Sequence, residues 1–138
     1  MATWVGSALP ALVLFALWLM ATLGLRPLLL PDEGRYASVA LEMLQGNALV
    51  PTLNGLPFFH KPPLFYWVGM AAMQVFGVEP FAARMGSLLG AWILGATLFL
   101  ALRRLHGPRV AIIALTVVAT SPFIFVGAQY ANHDMLVA

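Results

Sequence analysis

"FAARMGSLLGAWILGATLFLALRRLHGPRVAIIALTVVATSPFIFV", residues 81–126, decides the fold. It reads as two apolar runs, 81–102 and 110–126, on either side of "RRLHGPR". The first run carries one charge, Arg84, near its start, and the second carries none. Each approaches the ~20 residues that cross ~30 Å of hydrocarbon. Short loops rich in Arg and Lys face the cytoplasm, so residues 103–109, with three arginines, form a cytoplasmic loop.

The rest of the chain asks for the same solvent. Of 138 residues, 62% are hydrophobic and 9% charged, against roughly 25% charged in a soluble domain. Residues 4–25 form another uncharged run long enough to span, with Pro10 placed to kink it. A cleaved signal peptide fits poorly, because no Lys or Arg precedes the run and no A-x-A site follows. The net charge of +2 is not gathered into a basic stripe, which argues against a nucleic-acid partner. Without cysteine there is no disulfide framework and no thiolate metal site. Gly-rich nucleotide loops, HExxH and Ser/His/Asp signatures are missing, so a soluble nucleotide substrate has no support.

The expected architecture is therefore an all-α integral membrane protein with about three spans. Its parts are a first span at 4–25, an outer loop at 26–80, a span at 81–102, the loop at 103–109, a span at 110–126 and a second outer loop at 127–138. The run at 64–78 would reach only ~22 Å as a helix, short of a crossing. It reads as an interfacial or re-entrant helix, with Tyr66 and Trp67 at headgroup level. Asp32, Glu33 and Asp134 then lie on one face of the membrane although far apart in sequence.

Within the outer loop, "LPDEGRYASVALEMLQGN" (30–47) has apolar residues at 36, 39, 40, 43 and 44. That is one face of a helix over 33–45, amphipathic and flat on the membrane. Asp32 suits the N-cap, Glu33 the positive helix end, and Gly46-Asn47 the stop. Each carboxylate equally suits proton transfer or metal binding at the bilayer edge. Arg35 is placed either to pair with Glu33 or to bind phosphate through its forked donors.

Further on, "FFHKPPLFYW" sets His60 and Lys61 between aromatic residues and prolines. Lys61 either snorkels to headgroups or receives an anionic lipid phosphate. Arg84 either anchors its helix at the interface or adds a second cation. Asn132-His133-Asp134 either caps the last span or brings a second carboxylate opposite Asp32.

The segment "PDEGRYASVALEMLQGNALVPTLNGLPFFHKPPLFYW", continued by "FGVEPFAARMGSLL" and "GAQYANHDM", resembles the N-terminal part of the GT-C membrane glycosyltransferases. The branch is bacterial family 39, which includes lipid A aminoarabinose transferases and is related to protein O-mannosyltransferases. The combined pattern D-E-x-R-Y-A, M-x-x-G, P-x-x-N-G and F-x-K-P-P-x-x-Y-W carries the resemblance. It implies sugar transfer from a polyprenyl-phosphate donor to a lipid or protein acceptor. The setting would be the outer side of a bacterial inner membrane.

In that reading Asp32 and Asp134 are catalytic, while Arg35 and Lys61 bind the donor phosphate. Tyr36 supports the site, and Glu33 and Arg84 join the substrate-binding set. A divalent metal, if used, would have His60 as a ligand, where aminoarabinose transferases typically carry Glu. The match covers about a quarter of a family member, so this stretch alone is expected to be inactive. The other readings are a small transporter subunit and a non-catalytic membrane protein of the same fold. Mid-depth ionisable residues, expected of a transporter, are missing from all three spans.

Overall fold

The computed structural model describes residues 2–137, with side chains from residue 8 to residue 136. The described chain is mostly helical: α1 (Ala2–Met20), α2 (Asp32–Gln45), α3 (Leu64–Phe76), α4 (Pro80–Ala83), α5 (Met85–Leu105), α6 (Pro108–Thr120), α7 (Pro122–Ala128) and α8 (Asp134–Val137). One small hairpin, β1 (Thr52–Leu53) with β2 (Leu56–Pro57), interrupts the segment between α2 and α3. Its turn residues Asn54 and Gly55 both have positive φ, as a two-residue hairpin turn of this kind requires. The Glu42 carboxylate reaches across from α2 to accept the Asn54 and Gly55 N–H groups.

Among the described residues, α5 is long and apolar enough to cross a membrane on its own. Helices α6 and α7 pass the same test as a pair, but they meet at a bend of 65°. The run expected to span at 110–126 is thus two helices joined at a bend. Pro122 has no N–H to donate and biases the preceding residue away from helical geometry, and Ser121 is accordingly extended at φ −67, ψ 116. The loop expected at 103–109 shrinks to His106 and Gly107, because α5 runs on through Arg103 and Arg104 and α6 starts at Pro108. Arg103 lies over the Phe99 ring, 6.0 Å from its centroid. Helix α1 stops at Met20, short of the expected 25, and continues through turns to Arg26. Pro10 is accommodated within it. The run expected at 64–78 ends at Phe76, where Gly77 takes a positive φ of 84.

A core of Phe15, Leu19, Leu23, Leu88, Phe99 and Leu115 joins α1, α5 and α6. Close approach depends on small residues along α5. A Cβ at Gly95 would strike the Phe15 ring, and one at Gly90 would overlap the Met135 carbonyl oxygen. Gly90 thereby lets the start of α8 lie directly on α5, the kind of contact small residues permit between membrane helices. A second cluster (Val39, Met43, Phe65, Tyr66, Ala131) and a third (Ala40, Ala72, Met73, Ala82, Ala83) dock α2 onto α3, α4 and the chain entering α8. Large apolar side chains such as Leu14, Ile113, Val117 and Phe123 remain outside, as expected where the solvent is lipid.

Candidate functional site

Four segments meet at the N-terminal end of α5, and one acid ties them together. Glu33 is fully buried, one residue into α2. Arg84, in the joint between α4 and α5, donates to it through Nε (2.8 Å to Oε1) and Nη2 (3.0 Å to Oε2). Arg26 adds Nη1 at 2.7 Å to Oε2, and the Leu29 and Ala131 N–H groups each donate at 2.8 Å. Arg84 directs its remaining donors to the carbonyls of Leu23, Arg26 and Pro27, so all five guanidinium hydrogens are used. Burial by itself would raise the Glu33 carboxyl, but the donors from Arg84, Leu29, Ala131 and Arg26 outweigh it and hold the pKa at about 2.

Glu33 and Arg84 were expected to contact substrate, yet neither has an exposed surface or an unused donor with which to do so. Their geometry is that of a tie between α2, α5, the segment leaving α1 and the segment entering α8. Arg26 completes this tie, and sequence reasoning passed it over. Its only signal was a cation at the close of an apolar run, seven residues before an acid.

Asp32 is the neighbour of Glu33 and behaves differently. It is the first residue of α2, with Pro31 at the N-cap position, so it supplies no side-chain cap. It forms an ion pair with Arg35 at 3.3 Å, both side chains being more than a third exposed. Arg35 therefore pairs with Asp32, not Glu33. Such an exposed pair is worth about 0–1 kcal/mol, which leaves both groups available to a ligand.

Asp134 approaches from the other end of the sequence. The Ser87 hydroxyl on α5 donates to the Asn132 carbonyl (2.9 Å) and accepts the Asn132 N–H (3.1 Å). Asn132 Oδ1 in turn accepts the Asp134 N–H at 3.1 Å. The second acid is thus hung from the helix that carries Arg84. It borders a cavity of about 360 Å³ with Tyr130, Asn132, Phe123, Ile124 and Met135.

His133, first read only as part of an interfacial cap or second-carboxylate segment, is central to a cluster of rings. Its imidazole centroid is 4.5 Å from Phe65, 4.7 Å from Tyr36 and 5.2 Å from Tyr66. Burial first, and the Lys61 ammonium second, lower its pKa to about 4 against the opposing pull of Asp134. Tyr66 is pushed up to about 12 by burial and by Tyr36, with Arg35 opposing. Burial raises the Tyr130 phenol too, helped by Asp32 and Glu33. Arg35, Tyr36, Lys61 and Asp134 consequently act on the rings of this cluster, while Asp32 acts on the Tyr130 ring and pairs with Arg35.

His60 stands apart from the acids, stacked on Phe58 at 4.5 Å. Among the described residues no group of three or more His, Cys, Asp or Glu converges as a metal site. His60 alone is an incomplete donor set for a metal ion.

Fold and site together define a helical membrane protein with lipid-facing apolar sides and a polar, ring-lined site at one end. The family described as "Dolichyl-phosphate-mannose-protein mannosyltransferase" matches residues 60–138, and the chain belongs to it. It is 42% identical over 125 residues to the undecaprenyl phosphate-alpha-4-amino-4-deoxy-L-arabinose arabinosyl transferase of Edwardsiella ictaluri, covering 88% of this chain and 22% of that protein. The protein of the same description from Yersinia enterocolitica is 44% identical over 84 residues, covering 60% of this chain and 15% of that one.

The crystal structure of ArnT from Cupriavidus metallidurans in the apo state superposes with a TM-score of 0.86 at 28% identity, over 98% of this chain and 25% of that one. The same protein bound to undecaprenyl phosphate gives 0.84 at 29% identity, over 99% and 25%. The GT-C resemblance is borne out on both counts. The chain spans about a quarter or less of the length of these relatives.

Proposed function

We propose that the chain is the N-terminal part of a membrane glycosyltransferase that moves a sugar from a polyprenyl-phosphate donor to a lipid or protein acceptor. Helix α1, α5 and the bent α6–α7 pair cross the bacterial inner membrane, and the N-terminal end of α5 faces outward. The meeting of Arg35, Lys61 and Asp134 at one ring cluster, with Asp32 paired to Arg35, carries this reading. The undecaprenyl-phosphate complex of a protein with the same fold supports the donor class.

The chemistry follows from the charges. Transfer forms a bond from the acceptor atom to the anomeric carbon, and breaks the anomeric C–O bond to phosphate. The acceptor proton passes to a carboxylate, Asp32 or Asp134, acting as general base. The leaving polyprenyl phosphate gains negative charge, which Lys61 and Arg35 stabilise where water is scarce. Asp32 and Arg35 open their weak mutual pair to do this. Glu33 and Arg84 touch no substrate; they are positioning residues that fix the start of α2 against α5 and the second outer loop.

Reconstituted full-length protein with a polyprenyl-phosphate sugar donor tests the proposal. Asp32→Asn and Lys61→Ala should each abolish transfer while membrane insertion is unchanged. Wild-type rates in both variants would remove these roles.

A further inference from the structure

Three buried polar atoms have no partner among the described residues: the Tyr66 hydroxyl and both ring nitrogens of His133. Tyr66 is 0% and His133 5% exposed, so bulk water does not serve them. Buried polar groups without partners are rare and costly, and they gather where a ligand completes the set. Both residues sit beside the groups that the reaction is proposed to use. Arg35 and Tyr36 act electrostatically on Tyr66, and Lys61 and Asp134 act on His133.

The donor set states what kind of group fits. An uncharged imidazole has one N–H and one lone pair, and a phenol both donates and accepts. A guest must therefore donate as well as accept. Phosphate oxygens at neutral pH largely accept, whereas a hydroxyl does both. Burial and the Lys61 charge keep the imidazole uncharged at neutral pH, so the cluster offers no cation to an anion. The surrounding rings of Tyr36 and Phe65 present flat apolar faces, suited to the C–H face of a sugar.

We propose that Tyr66 and His133 form the sugar subsite, binding hydroxyl groups of the donor's sugar while Arg35 and Lys61 hold its phosphate. Tyr36, the least buried ring of the cluster and adjacent to Arg35, shifts to admit the sugar. The inference rests on the glycosyltransferase reading and adds which residues recognise the sugar.

The test is a binding comparison on the full-length protein in nanodiscs. Two lipids are used: undecaprenyl phosphate, and undecaprenyl phosphate carrying 4-amino-4-deoxyarabinose. Wild type should bind the sugar-bearing lipid roughly 10-fold tighter, and Tyr66→Phe should remove most of that preference. Affinity for undecaprenyl phosphate should stay unchanged in Tyr66→Phe, which also reports that the variant is folded. His133→Gln, which keeps a donor and an acceptor, should retain more of the preference than His133→Leu. In wild type, the His133 ¹⁵N resonances should move with the sugar-bearing lipid and not with the bare one.

Equal binding of the two lipids by wild type, or an intact preference in Tyr66→Phe, would overturn the subsite. So would an unmoved His133 signal. A preserved binding preference in a wild-type protein that performs no transfer would instead defeat the functional reading and leave the subsite standing.

Discussion

Replacing Glu33 with Gln should destabilise the protein far more than replacing Asp32 with Asn, although the two acids are adjacent. Glu33 accepts from Arg84, Arg26 and two backbone N–H groups. Glutamine offers one acceptor oxygen and turns an NH₂ toward donors that have nothing to donate to. It also leaves the fully buried Arg84 guanidinium without a counter-charge. Breaking one partner of a buried pair costs about 3–5 kcal/mol.

An independent figure comes from proton affinity. The Glu33 carboxyl is lowered from 4.5 to about 2. At about 1.4 kcal/mol per tenfold change in affinity, this is roughly 3 kcal/mol of stability. Because the folded-state value is the lower one, the contribution is complete above pH 4.5 and is lost as the pH falls toward 2. Asp32→Asn, by contrast, removes half of an exposed ion pair and should stay within about 0.5 kcal/mol.

Thermal unfolding of the full-length protein in detergent reads this out at neutral pH. Glu33→Gln should unfold several degrees below wild type and Asp32→Asn beside it. The wild type should also lose stability on acidification where Glu33→Gln loses less. Equal midpoints for Glu33→Gln and wild type would refute the claim that this acid holds the four segments together.

Two further outcomes follow from the packing and the sidedness. Gly90→Val forces a side chain into the Met135 carbonyl and displaces the neighbouring Asp134. A misplacement of about 1 Å should lower kcat on the order of 100-fold with insertion intact, and an active variant would show that Asp134 needs no such placement. Single cysteines at 54, 106 and 132 should label from outside at 54 and 132 but not at 106. Labelling of 132 and 54 from opposite sides would separate the two outer loops and dissolve the shared site.

Much of the arrangement was readable because it rests on local properties. The amphipathic face of α2 was visible as apolar residues at helical spacing, and its observed bounds differ from expectation by one residue at the start. The short helix α3 was announced by Pro63 before it and Gly77 after it. The break between α6 and α7 lies at Ser121-Pro122, inside the run expected as one span over 110–126, since a proline signals interruption without saying how the helix resumes. His133 was undervalued for a different reason. Its neighbours Tyr36, Phe65 and Tyr66 come from helices remote in sequence, so no spacing rule pairs them with it.

The sequence by itself determined the solvent and the helical class of this protein, because apolar run length and helical period are properties of each segment alone. Counting its crossings predicts the acids on a common membrane face, which the labelling experiment tests. Only the tertiary structure decided which acid is tied down and which stays free. Successive residues on a helix point about 100° apart, so Glu33 turns inward to Arg26, Arg84 and the Ala131 amide while Asp32 turns outward to Arg35. Burial and charge pairing depend on partners far along the chain, and those partners meet only when the helices pack.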